Sequence, residues 1–185
     1  ALRTGRRPAD AVPLHIHFVA NIDPRELDAC LARLDPARTL FLVSSKSFTT
    51  LETLANARAA RDWLRAGLGE AGHDLARLAR HFYAITQAPQ AAVDFGFRLE
   101  QVFWLPAWVG GRYSVWSAIS LPLRLALGEE RFGSFLAGAR AMDEHFRSAP
   151  LAYNLPALLG LCGLWNINFL GIENLAVLPY AHGLR

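Results

Sequence analysis

The chain has 185 residues, 52% of them hydrophobic and 19% charged, with a formal net charge of +3 from 19 basic and 16 acidic side chains. This balance excludes a disordered chain, which needs few apolar residues and a high net charge, and it supplies a single domain with a large dry core. The excess charge is small and clusters only at Arg3, Arg6 and Arg7, so nucleic acid is not the expected partner. Cys30 and Cys162 are the only cysteines, too few for a disulfide framework and without zinc spacing, which points to a reducing, cytoplasmic setting. Residues 1–10 are polar and basic with no apolar run, so no secretory signal is expected there.

In chain order, residues 15–20 (HIHFVA) form a short apolar run bounded by Pro13 and Asn21 and are expected as a strand. Asp23-Pro24 opens a helix, with Asp as cap and Pro in the first turn, and Leu27, Cys30, Leu31 and Leu34 line one face. Residues 39–43 (TLFLV) are apolar throughout, as in a strand buried on both faces. A polar turn over 44–48 leads into a helix over about 50–66, where Thr49 and Glu52 have capping-box spacing. A helix over 74–80, a strand over 81–86 (HFYAIT) and a short helix within 87–96, ended by Gly96, follow.

Residues 102–104 are expected as one more short strand, and helical patterns cover 114–127 and 129–146 with a break at Gly128. Residues 154–170 read as an apolar helix and 175–178 as a terminal strand. The charge-free stretch 155–172 contains Pro156, Asn166 and Asn168 and lacks basic flanks, so a buried core helix is expected and not a membrane span. Helices alternate with continuous apolar strands, the pattern of an α/β sandwich with a mostly parallel sheet. The five tryptophans, at 63, 104, 108, 116 and 165, are expected mainly in the core.

Ligands of such sheets bind beyond the carboxyl ends of the strands. The first loop of interest is therefore Ser44 to Thr50, with five hydroxyls and one ammonium at a helix start. Free N–H groups and the positive end of the helix dipole favour an anion there, and the absence of a Gly-x-Gly-x-x-Gly run favours a phosphate monoester over a dinucleotide. The alternative is plain N-capping by Thr49 or Thr50. Lys46 is the only lysine among the basic residues. In a chain that otherwise uses arginine, it is either retained for chemistry or a chance survivor.

The second loop is Gly110-Gly111-Arg112-Tyr113-Ser114. Paired glycines admit a ligand close to the backbone, and an arginine beside them suits a phosphate or a developing oxyanion. The alternative is a tight loop whose Arg is paired to an acid. His15 and His17 alternate on the expected first strand and read as core or edge residues, not metal ligands; His145 and His182 stand alone. Glu173, the only acid after residue 154, reads as a buried, paired carboxylate.

The runs FVANID (18–23), SSKSFTTLET (44–53), WVGGRYSVWSAISL (108–121), LPALLGLCGLWNINFLG (155–171) and ENLAVLPY (173–180), in this order, resemble the glucose-6-phosphate isomerase family. The resemblance covers essentially the whole chain. It implies the sugar-isomerase (SIS) fold: a three-layer αβα sandwich around a mostly parallel sheet, with this chain as a single sugar-phosphate-binding segment incomplete at both ends. It also implies reversible isomerisation of glucose 6-phosphate and fructose 6-phosphate in glycolysis and gluconeogenesis. The enzyme would be a cytoplasmic homodimer with no metal or organic cofactor, no membrane and no nucleic-acid partner.

Residue by residue, the resemblance puts Ser45, Lys46, Ser47 and Thr50 on the phosphate-binding turn, with Ser47 where the family usually has Thr. It puts Gly111 and Arg112 beside the sugar carbons, where the arginine stabilises the enediolate. The chain departs from the family at Leu105-Pro106-Ala107, where Phe-Trp-Asp is usual, and at Ala181-His182, where Asp-Gln is common. A family enzyme is much longer. Its glycine-rich phosphate loop is expected before Ala1, and its catalytic glutamate, histidine and second lysine after Arg185. The slice alone is therefore expected to be inactive. A rival from another class is a sugar-phosphate sensor that keeps the phosphate turn without catalysis.

Overall fold

The computed structural model describes residues 14–176. They fall into two compact units divided between Phe132 and Gly133. The first unit is an α/β structure. Helix α1 (Pro24–Leu31) starts at Asp23, whose carboxylate accepts the Arg25 N–H at 3.0 Å. The Arg25 guanidinium and that N–H hold the Asp23 carboxyl below its ordinary range. The cap is therefore present above the usual carboxylate pKa and is lost as pH falls through the lowered one.

Strand β1 (Phe41–Ser44), helix α2 (Leu51–Gly67), helix α3 (Leu75–Ala79), strand β2 (Phe82–Thr86), helix α4 (Pro89–Phe95) and strand β3 (Val102–Trp104) follow. The strands pair in parallel in the order β1-β2-β3, with Ser44 opposite Ile85 and Thr86 opposite Trp104. All three carboxyl ends therefore lie on one edge, which is where the loops of interest begin. Gly96, at φ 113°, ends α4 in a left-handed turn that a side chain would strain.

The core explains the sequence pattern. Ala57, Ala60 and Leu64 recur at helical spacing along α2 and pack with Val43, Phe82 and Ala84 of the sheet and with Ala92 of α4. Small residues on α2 let the helix lie close to the strands. The opposite face carries the smaller cluster Ile85, Leu105 and Val109, under Leu42, Ala118, Ile119 and Leu121. β2 is the central strand, and Ala84, Ile85 and Thr86 are each 0% exposed.

Several expectations need correction. Residues 15–20 form no strand: they run as coil, with His15, His17 and Phe18 exposed. An apolar β-prone run becomes a strand only with a partner edge, and β1 pairs with β2 alone among the described residues. Leu175 and Ala176 carry no strand either, and the remainder of the expected terminal strand, 177–178, lies outside the described residues, as does His182. The helical pattern over 114–127 resolves into turns, a short 3₁₀ segment Ala118–Ser120 and helix α5 (Leu121–Leu127). Trp104, Trp108, Trp116 and Trp165 are more than half exposed, and only Trp63 packs against the core. Glu173 is exposed.

The second unit takes in most of helix α6 (Glu129–Ser148) and helix α7 (Leu155–Leu170). Asn154, 5% exposed, joins them: its amide donates to the Phe146 carbonyl at 2.8 Å, and its side-chain oxygen accepts the Ala157 N–H at 3.2 Å. His145 Nε2 accepts the Leu155 N–H at 3.1 Å, a local structural role. Contrary to expectation, no residue of α7 is buried, and Leu159 and Phe169 are 73% and 69% exposed. A helix apolar on all sides needs cover on all sides. Among the described residues no helix is long and apolar enough to cross a membrane.

Candidate functional site

The turn after β1 is anchored into the end of β2. The Ser45 N–H donates to the Ile85 carbonyl at 3.0 Å, which extends the ladder one residue past the strand. The Lys46 carbonyl accepts from the Gln87 N–H and from the Thr86 hydroxyl, each at 3.1 Å. Ser45 is 5% exposed; its Oγ accepts the Phe48 N–H at 3.1 Å and meets the Thr50 hydroxyl at 3.1 Å. The Ser47 and Thr49 hydroxyls meet at 2.6 Å.

Phe48 turns the chain. Its φ of 55° is left-handed, and it is the one non-glycine residue with a positive φ among those described. Such a conformation costs a bulky residue about 1–3 kcal/mol. Burial offsets it: the ring is 3% exposed and meets Phe95 and Phe97 edge-on at 5.8 and 5.5 Å. Burying a phenylalanine contributes about 1.5–3 kcal/mol, so packing can hold the strained turn. Phe48→Ala should therefore cost the full-length protein about 3 kcal/mol in a urea titration; a loss below about 1 kcal/mol would mean that the ring does not hold the turn.

The capping box expected at Thr49 and Glu52 is not formed. Thr50 is the cap residue of α2 and makes no side-chain cap bond. The hydroxyls pair with one another instead. The backbone N–H groups of Ser47, Thr49, Thr50, Leu51, Glu52 and Thr53 then have no acceptor among the described residues. Such a set of outward donors at a helix start is the arrangement that binds anions. Glu52 places a carboxylate on the same first turn, in an open cleft shared with Thr50, Thr53, Ala20, Asn21 and Ile22. Net attraction for an anion thus depends on Lys46.

The second loop leaves β3. The Leu105 N–H donates to the Thr86 carbonyl at 2.8 Å, and Leu105 and Val109 are 1% and 4% exposed. These two buried residues bracket Pro106, Ala107 and Trp108 and fix where Gly110 emerges. Neither Gly110 nor Gly111 adopts a left-handed φ, and a side chain at Gly111 would meet nothing within 4 Å. The room at Gly111 is thus open space over the backbone. Arg112 is exposed and forms no ion pair with a described acid.

The structure thus gathers Ser45, Lys46, Ser47 and Thr50 in the turn after β1, while Gly111 and Arg112 lie in exposed chain beyond Leu105 and Val109, which are buried after β3. The carboxyl ends of β1 and β3 are two strand spacings, about 10 Å, apart, with the end of β2 between them. Sequence reading missed two residues that shape this edge, Phe48 and Thr86. The only signal for Thr86 is a hydroxyl ending an otherwise apolar strand. Both cysteines are free thiols, and burial pushes the Cys30 thiol up, away from reactivity.

The phosphoglucose isomerase family model matches residues 2–185. The chain belongs to the phosphoglucose isomerase family. It is 67% identical over 92% of its length to the glucose-6-phosphate isomerase of Aromatoleum aromaticum and 52% identical over 97% to that of Ectopseudomonas mendocina. It spans 30% and 32% of those relatives, about a third of a family member. Among solved structures, a glucose-6-phosphate isomerase from Chlamydia trachomatis aligns with a TM-score of 0.73 at 38% identity, covering 89% of this chain and 30% of that one. A hypothetical protein from Thermus thermophilus aligns with a TM-score of 0.64 at 33% identity, covering 82% of this chain and 34% of that one. The α/β fold with a parallel sheet is therefore that of a phosphoglucose isomerase segment.

Proposed function

We propose that this chain is the sugar-phosphate-binding segment of a glucose-6-phosphate isomerase. The full polypeptide would interconvert glucose 6-phosphate and fructose 6-phosphate as a cytoplasmic homodimer without a metal or organic cofactor. The observation that carries this reading is the Ser45–Thr50 turn: unpaired N–H groups, hydroxyls and one lysine at a helix start, in a chain of this family.

Aldose–ketose exchange moves a proton between C1 and C2 through a cis-enediolate. That chemistry needs a carboxylate base near both carbons and positive charge facing the developing oxyanion. In this proposal Ser45, Lys46, Ser47 and Thr50 hold the phosphate, the open backbone at Gly111 admits the sugar, and Arg112 faces the enediolate. The base comes from elsewhere in the polypeptide. Phosphate binding far from the reacting carbons orients them and lowers the entropic part of the barrier.

Each single contact holds the phosphate alike in ground and transition states, and the remaining contacts keep the carbons oriented, so losing one anchor weakens binding far more than it slows chemistry. Lys46→Ala and Thr50→Ala in the full-length enzyme should each raise KM for fructose 6-phosphate about tenfold or more and leave kcat within a few-fold. Steady-state kinetics with KM unchanged in both variants would remove the phosphate assignment.

A further inference from the structure

We propose that Thr86 is a positioning residue for phosphate recognition: its hydroxyl fixes the peptide plane between Lys46 and Ser47, and so the direction of the donors that follow. The inference rests on the phosphate reading of the Ser45–Thr50 turn and extends it to a residue on the neighbouring strand.

Thr86 ends β2 and is 0% exposed, although it carries a hydroxyl. A buried hydroxyl is kept only where its bonds are made. Thr86 Oγ1 accepts the Ala88 N–H at 3.0 Å and donates to the Lys46 carbonyl at 3.1 Å. The Gln87 N–H is the second donor to that carbonyl, at 3.1 Å. Two donors from two directions fix the carbonyl where one would let it swing.

In a trans peptide, C=O and the next N–H point in opposite directions. With the Lys46 carbonyl turned in toward β2, the Ser47 N–H is turned away from the sheet. That N–H has no acceptor among the described residues. It is the first of the outward donors, and Phe48 then reverses the chain so that Thr49 and Thr50 lead into α2. The Thr86 hydroxyl thus sits behind the cradle, in contact with its backbone and not with the ligand.

The test uses the full-length enzyme, with inorganic phosphate as competitive inhibitor and fructose 6-phosphate as substrate. Thr86→Val keeps shape and removes the hydroxyl; Thr86→Ser keeps the hydroxyl and removes the methyl; Lys46→Ala reports on the phosphate reading itself. The expected result is that Thr86→Val raises both the phosphate inhibition constant and KM about five- to tenfold with kcat within twofold, while Thr86→Ser stays within twofold of wild type throughout.

A merely structural threonine would lower the melting temperature in either variant and leave the inhibition constant alone. An unchanged inhibition constant in soluble Thr86→Val, alongside a raised one in Lys46→Ala, overturns the role of Thr86 and keeps the phosphate reading. Unchanged constants in both overturn the reading on which it rests. Should Thr86→Val not fold, Thr86→Ala, which also lacks the hydroxyl, takes its place: a raised inhibition constant beside an unchanged one in Thr86→Ser supports the hydroxyl, and an unchanged one in Thr86→Ala overturns the proposal.

Discussion

Arg112→Ala in the full-length enzyme is expected to lower kcat by roughly 10²–10³-fold and to move KM much less, the behaviour of a lost oxyanion donor. The enediolate carries a charge that the sugar lacks, so a cation facing it acts mainly in the transition state. The structure bears on this through the supports of the loop. Leu105 and Val109 are buried, and the Leu105 N–H donates to Thr86. The chain therefore leaves the sheet from a fixed point. Arg112 itself is exposed, with no described acid neutralising it. Lys in its place keeps the charge but loses the planar fork, so Arg112→Lys should recover little of the lost rate. Near-normal kcat in Arg112→Ala would make it an ordinary surface arginine.

How far the sequence could be read depended on the range of the forces involved. The helix start at Asp23 was legible because a cap depends on a few adjacent residues, and its side chain accepts a backbone N–H; Asp74 and Asn154, read only as the first residues of helical patterns, cap their helices in the same way. β1, β2 and β3 were legible because their apolar runs lie between helical patterns. The run 15–20 has the same composition yet is coil, because a strand also needs a partner edge, which local composition does not report. Thr49 and Glu52 had capping-box spacing, but the Thr49 hydroxyl meets Ser47 instead. A turn held from behind by Thr86, from 40 residues away in sequence, overrides the local rule. The left-handed Phe48 was illegible for the same reason: only the distant rings of Phe95 and Phe97 make that conformation affordable.

Residues 1–185 expressed alone are expected to be poorly soluble or molten and to show no isomerase turnover. The apolar surface of the described residues is the reason. Along α7, Leu155, Leu159, Leu164, Trp165, Ile167 and Phe169 are each more than half exposed. At about 25 cal/mol per Å² of apolar area, each such side chain left in water forgoes a kcal/mol or more of burial, several times over along one helix. β1 adds a strand edge unpaired among the described residues, and exposed edges recruit other chains. Relatives about three times as long have the extra chain to cover these surfaces. Turnover should be absent for a separate reason, since the proposed mechanism takes its base from outside these residues. Size-exclusion chromatography, a dye for exposed apolar surface and a coupled isomerase assay would check both parts. A monodisperse fragment with a sharp cooperative melt would mean that the segment covers its own core, and measurable turnover by the pure fragment would require a base within it.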